Sequence, residues 1–309
     1  MRYFFPFILL FAIAISSCDH VENPYPTVST DLNTDLYPGS WDDYMNNEWP
    51  TFTQNTNIDR NVLLEDFTGH QCIYCPLAAD IAHNLHEANH DRVFVAAIHA
   101  GPQGMGDFQQ TNPPDYPVDF TNAQGLEIGE YFGTNDGGFS GNPRGAISRK
   151  EDGGNIFQSP NSWANITNSI LNTNDLKVNV QGQINYYPST KGAFLHVEVD
   201  KLDANLSNDL AIVSCLIEDS LIGDQKMPDN THNSAYVHRD THRGNLSGAA
   251  FGRSLTDDLI TDGKYYVNYS FVVPNQLDGN HNPQNMHVLV YVYDISTWEV
   301  YQVIKVPIQ

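Results

Sequence analysis

The stretch from Asn61 to Leu85, NVLLEDFTGHQCIYCPLAADIAHNL, constrains this chain more than any other. A short apolar run, Val62-Leu63-Leu64, passes through Glu65-Asp66-Phe67 to a turn at Thr68-Gly69. Cys72-Ile73-Tyr74-Cys75 then opens a segment whose apolar residues have helical spacing. Strand, loop, C-x-x-C, helix is a setting in which paired cysteines do redox chemistry. The reason is local. A helix N-terminus presents unpaired N–H groups and the positive end of the helix dipole. Both favour thiolate, the reactive form of cysteine. Cys72 is therefore expected as an exposed nucleophile, and Cys75, one turn on, as the thiol that resolves a mixed disulfide. Pro76 costs little there, because an early helical position has no N–H bond to lose. The same pair also fits a static disulfide, or half of a metal site. The metal reading lacks a second C-x-x-C or a well-spaced histidine pair. Asp66 is either a proton acceptor for the pair or a solvated strand-end acid.

The first residues read as a targeting segment. Arg2 precedes an apolar run from Tyr3 to Ile15, too short for a stable membrane span, and small residues lead to Cys18. Ile15-Ser16-Ser17-Cys18 resembles the lipobox of bacterial lipoproteins, in which the cysteine is acylated and becomes the mature N-terminus. That assigns 1–17 to a signal peptide and Cys18 to lipidation; the bland alternative is an ordinary signal peptide with a spare thiol. Lipid chains anchor a body to a membrane without a transmembrane helix. The compartment implied is one where disulfides persist. A formal charge of −22 over 309 residues argues against nucleic acid and anionic membrane surfaces, which require Lys and Arg clusters.

Residues 18–57, rich in Asn, Thr, Pro and Asp, read as a tether that ends in ordered contacts around Trp41, Tyr44 and Trp49. After the strand Val62–Phe67, a helix is predicted over Leu77–Ala88, with Leu77, Ile81, Leu85 and Ala88 on one face. Val93–His99 reads as a buried parallel strand. The Gly-, Pro- and Gln-rich loop from Gly101 to Asp119 is long enough to be functional and is expected to flank the cysteines. A helix over Thr121–Phe132 follows. Next come a short strand at Ala146–Arg149, a hairpin partner at Asn155–Phe157, and a helix from Ser159-Pro160 to about Leu171. From Leu176 the period changes to two, and about seven strands with no convincing helix predict an antiparallel sandwich of immunoglobulin-like type. Ser220–Asp262, polar and rich in Gly and Asn, is not placed by its pattern.

The first unit, 58–172, resembles thioredoxin. The C-x-x-C follows a strand and opens a helix. Asp66 stands six residues before Cys72, where thioredoxins keep a buried acid that assists the resolving cysteine. Asn142-Pro143 precedes a strand, matching the thioredoxin cis-proline that faces the disulfide and binds the substrate backbone. Gln71 replaces the expected tryptophan, and Ile73-Tyr74 replaces Gly-Pro, so the direction of exchange is left open. More of the chain is similar to a family of Bacteroidetes outer-membrane lipoproteins named for a twenty-eight-kilodalton founding member. That likeness rests on LLEDFTG, C-x-x-C-P, the AIHAG strand end and the Asn-Pro-x-Gly turn. It implies an outer-membrane lipid anchor, a thioredoxin-like domain (58–172) and a β-rich C-terminal domain (173–309). It also brings an adhesin or surface-antigen reading.

The expected fold is thus an α/β thioredoxin-like domain followed by an all-β immunoglobulin-like sandwich. The expected function is thiol–disulfide exchange with exported proteins, with Cys72, Cys75, Asp66 and Pro143 as the site and no cofactor. The competing reading is a non-catalytic surface lipoprotein that binds a protein partner and keeps a structural disulfide. His83, His86 and His90 read as a polar helix face rather than a metal stripe, and His232, His238 and His242 as polar loop residues. His70 and His99 are structural by default, with electrostatic tuning of the thiolate as the sharper alternative. Cys215, in an apolar run, reads as core. Four N-x-S/T sequons, at Asn165, Asn205, Asn245 and Asn268, are background.

Overall fold

The structure, a computed structural model, describes residues 31–134, 138–207, 209–255, 260–261 and 263–308. The signal peptide and Cys18 lie outside the described residues. The elements run α1 (Trp41–Asp43), β1 (Val62–Thr68), α2 (Cys75–Ala88), β2 (Val93–His99), α3 (Ala123–Thr134), β3 (Arg144–Ile147), β4 (Phe157–Gln158) and α4 (Pro160–Thr173). There follow β5 (Val178–Tyr187), β6 (Gly192–Lys201), β7 (Leu210–Glu218), β8 (Leu221–Lys226), β9 (His232–His238), β10 (Thr241–Asn245), β11 (Arg253–Ser254), β12 (Ile260–Thr261), β13 (Lys264–Val272), β14 (Met286–Asp294) and β15 (Val300–Pro307).

β1 and β2 pair in parallel, Val62 with Val93 through Thr68 with His99, and β3 runs antiparallel on the other side of β1. Strand alternation sorts their side chains. Val62, Leu64, Val93 and Val95 face α2 and α4, with Trp163 and Ile170. Phe67 and Ile98 face α3, with Ile128 and Phe132. Helices on both faces of a mixed sheet explain why β1 and β2 read as continuous apolar runs. The α2 face differs from the expected one: Ala78 and Ala82 are buried, Ile81 and Leu85 are half-buried, and Leu77 is exposed. Two alanines toward the sheet let the helix lie close to it.

The second unit is an antiparallel sandwich. β12-β13-β6-β5 form one sheet, and β7, β14 and β15 belong to the other. Between them Val180, Leu195, Val197, Ile212, Val267, Val288 and Val290 make the largest core cluster. The two units share a sheet, in the order β15-β14-β7-β10-β2-β1-β3-β4. β10 is the join: Thr241 pairs parallel with Ala97, while His242 pairs antiparallel with Ile217. The tether's ordered contacts are present as expected. Tyr44 is fully buried, stacks on Trp41 with centroids 4.7 Å apart, and bonds the His196 ring at 2.6 Å.

Ser220–Asp262, which the pattern left unplaced, holds five short strands, β8 to β12, among its described residues. β10 has a polar sequence, THRGN, yet sits mid-sheet, with His242 and Asn245 paired internally. His242 meets Asn245 at 3.0 Å, and Asn245 Nδ2 donates to the carbonyls of Ala249 and Ala250. β8 and β9 form a separate two-stranded hairpin.

Candidate functional site

The cysteine turn is built at the carboxyl end of β1. The Cys72 N–H donates to Gly69 O at 3.0 Å, and the Cys75 N–H to Cys72 O at 3.3 Å. The helix opens at Cys75, with Tyr74 as its N-cap, so Cys72 lies in the turn ahead of it. Cys72 and Cys75 are joined in a disulfide, with Cα atoms 5.4 Å apart. The Gly101–Asp119 loop flanks this turn, as its length suggested. Gln71 N–H donates to Phe108 O at 3.0 Å, and Gln109 Nε2 donates to Thr68 O at 2.6 Å. His70 Nε2 and Gln71 Nε2 both bond Gln110 O. A Cβ on Gly69 would stand 2.6 Å from Phe108 O, so only glycine lets the loop come this close.

The Asn142–Pro143 bond is cis. Arg144 pairs with Phe67, which sets Pro143 at the cysteine end of the sheet. Asn142 ties that turn down, donating to Ala100 O at 2.8 Å and accepting from Gln109 Nε2 at 3.3 Å.

Exposure is where expectation and structure part. Cys72 is only 2% exposed and Cys75 1%. The cover is the β8–β9 hairpin. Lys226 N–H donates to His70 O at 2.8 Å, and the buried Gln225 gives its Nε2 to Cys72 O at 3.1 Å. Tyr74 and Leu77 are exposed beside the covered sulfurs. The hairpin also corrects the reading of His232, His238 and His242 as polar loop residues: they lie in β9 and β10, and the latter two are buried. His238 packs its ring 4.2 Å from Phe120 and 5.6 Å from His99. Among the described residues no group of three or more His, Cys, Asp or Glu is placed to hold a metal.

Between disulfide and hairpin lies a small, partly enclosed cavity of about 30 Å³, lined by Asp66, Cys75, Pro76, His99, Gln225 and Tyr236 among others. Asp66 belongs here because even-numbered β1 residues face α2. It is 2% exposed, and its Oδ1 has no protein partner. Burial pushes its carboxyl up to about 8, so it holds its proton at neutral pH. Burial lowers the neighbouring imidazoles: His99 well below its ordinary value, His238 to about 4, and His70 in the same direction. These three are neutral at pH 7. Burial raises the Tyr236 phenol to about 12. Arg239 lies at the cavity's edge, and His83 and Asp240 border a second small cavity against Asp66.

Elsewhere, His86 Nδ1 bonds Val93 O at 2.7 Å. Cys215 is buried in the core, where burial raises its thiol. Sequence reasoning missed Gln225, Tyr236 and His238. The signal available was weak: inward residues of β8 alternate as Leu221, Gly223, Gln225, with only one of them a large apolar side chain.

The family described as "Outer membrane protein Omp28" matches residues 134–309, more than half of the chain, from the last part of the thioredoxin-like unit through the sandwich and beyond Cys72 and Cys75. Among solved structures, HBP35 of Porphyromonas gingivalis is similar with a TM-score of 0.58 at 17% identity, covering 81% of this chain and 76% of that one. A domain of the outer membrane lipoprotein Omp28 from the same organism is matched at 22% identity with a TM-score of 0.31, over 44% of this chain and 90% of that one. No curated protein matches. The likeness to HBP35 is one of fold, a thioredoxin-like sheet joined to a sandwich. Among the described residues no helix is long and apolar enough to cross a membrane. The chain belongs to the Omp28 family of outer membrane proteins.

Proposed function

We propose that this protein is a lipid-anchored thiol–disulfide exchange protein of the outer membrane, acylated at Cys18, acting on the thiols of exported proteins. The observation that carries the reading is a protonated Asp66, its Oδ1 without a protein partner, sharing a small cavity with Cys75. In this reading a partner thiolate attacks Cys72 Sγ, forming a mixed disulfide and breaking the Cys72–Cys75 bond. Cys75 leaves with the bond's electron pair and takes a proton from Asp66. The partner's second thiolate then attacks its own sulfur in the mixed disulfide and releases Cys72 as a thiolate. Two electrons pass from the partner dithiol to this protein. Pro143 shapes the groove for the partner's backbone. The hairpin over Cys72 must move for this to occur.

A second reading is favoured by the burial of both sulfurs: a static disulfide inside a binding lipoprotein. Cys75→Ser separates the two. Covalent adducts through Cys72 in cells, with a reduction potential above about −300 mV, support exchange. A disulfide poised below that potential, with no adducts, leaves the scaffold.

A further inference from the structure

Exchange at Cys75 requires a proton to arrive at and leave a buried site beneath the hairpin. Asp66 and His99 stand on adjacent parallel strands, Asp66 opposite Ala97 and Thr68 opposite His99. Alternation puts both on the face that α2 covers, one diagonal step apart. Both line the cavity that reaches Cys75. Both are almost fully buried, and each has one polar atom without a protein partner, Asp66 Oδ1 and His99 Nδ1. A polar space of this size accommodates a water bonded to such groups.

We propose that His99 is a positioning residue for proton transfer at Cys75, coupled to Asp66 through the cavity and returning to Asp66 the proton that Cys75 takes. This rests on the exchange reading. When Cys75 leaves as thiolate, Asp66 gives up its proton and is left as a buried carboxylate. Gln225, Tyr236, Val237 and His238 line the hairpin side of the cavity, and the carboxylate is reloaded through the groups around it. Of the titratable side chains there, Tyr236 holds its proton too tightly to supply it, and Arg239 stays charged. His83 and Asp240 border Asp66 on a second cavity that does not reach Cys75. His238 faces away to Asp224 O, at 3.3 Å from its Nε2. His99 is the imidazole on the cavity with an unpartnered nitrogen; it takes a proton from solvent water at one ring nitrogen and gives one to Asp66 from the other, and so changes tautomer while staying neutral. Its ring is fixed by Phe120, with centroids 4.9 Å apart, and has His70 6.5 Å and His238 5.6 Å away.

The test uses the oxidised full chain and dithiothreitol across the neutral pH range. His99→Phe keeps the ring against Phe120 and removes both nitrogens. His99→Gln keeps a polar group but no ionisable one. Both variants should slow reduction by about tenfold or more and change the shape of the pH profile. The Asp66 midpoint, read from its carboxyl carbon by NMR, should move by at least half a pH unit. An unmoved midpoint overturns the proposal even where the rate falls, since packing alone would then account for the loss. A moved midpoint with an unchanged rate overturns it too. If His99→Phe does not fold, His99→Gln carries both readouts. Wild-type protein that resists dithiothreitol at every pH sinks the exchange reading and this proposal together. Wild-type exchange with unaltered variants sinks the proposal alone.

Discussion

Two acidic residues adjacent in sequence, Glu65 and Asp66, are both buried and have opposite fates. Alternation sends Glu65 to the α3 side, where Arg149 Nε and Nη2 clasp its two oxygens at 2.7 and 2.6 Å. The guanidinium sits within reach of the Phe132, Tyr291, Tyr293 and Trp298 rings. Burial alone would lower its pKa, but Glu65 outweighs that and holds Arg149 above its ordinary range. Breaking such a pair leaves an uncompensated charge. Arg149→Met should therefore cost about 3–5 kcal/mol, read from urea midpoints, while exchange chemistry at the sulfurs stays intact. Asp66 has no such partner. Its folded pKa of about 8 lies above the unfolded value, so its contribution is lost as pH rises from about 4 to 8. Asp66→Asn should stabilise the protein by several kcal/mol, on the order of 4, at pH 7. It should also slow dithiothreitol reduction. Stabilisation with loss of rate would mark Asp66 as retained for chemistry; a destabilised Asn variant would contradict its neutrality in the fold.

At the level of elements, the strands that the sequence shows plainly are those whose periodicity reports their own burial. β1, β2, β7, β14 and α4 are of this kind, as is the turn that carries the cysteines. β10 and the β8–β9 hairpin are not legible in this way, because their burial is decided by distant partners. His242 tolerates the middle of a sheet through a bond that no local pattern reveals: Asn122, 120 residues away, donates its Nδ2 to the His242 carbonyl at 2.8 Å. The expectation of an exposed Cys72 failed for the same reason: its cover lies 153 residues away, at Gln225. Hydrogen bonds of this kind contribute about 1 kcal/mol each, equivalent to about a fivefold change in an open population. Gln225→Ala should thus raise the rate of Cys72–Cys75 reduction about fivefold without changing the urea midpoint much. Gly223→Ala should act more strongly. The added Cβ would stand 2.6 Å from Phe120 Cζ, and that buried ring is packed against His99 and His238. An unchanged rate in both would show that the hairpin does not govern access.

Across the whole molecule, one sheet joins the thioredoxin-like and sandwich units, and imidazoles are buried in both units and in the β8–β9 hairpin. His196 and His238 are lowered to about 4, His287 to about 3, and His70, His99 and His242 in the same direction, in each case chiefly by burial. A depressed folded pKa means stability that is present above the unfolded value, about 6.5, and lost as pH falls toward the folded one. His196, His238 and His287 then each cost about 2 kcal/mol at pH 5 and about 6 kcal/mol together, within the 5–15 kcal/mol that holds a typical domain, and His70, His99 and His242 act in the same direction. Asp66 acts in the opposite sense from about pH 4 to 8. The urea midpoint should therefore peak between about pH 6 and 7, fall gently toward pH 8 and fall steeply below pH 6. Charge repulsion would give a different curve. At −22 the chain carries excess negative charge, and acid relieves that repulsion as carboxylates take up protons. A midpoint that rises steadily from neutral pH to 4 would show that repulsion, and not the buried histidines, sets the acid limit. Asp66→Asn should flatten the alkaline limb and steepen the acid one, which separates this buried acid from the imidazoles in a single series of titrations.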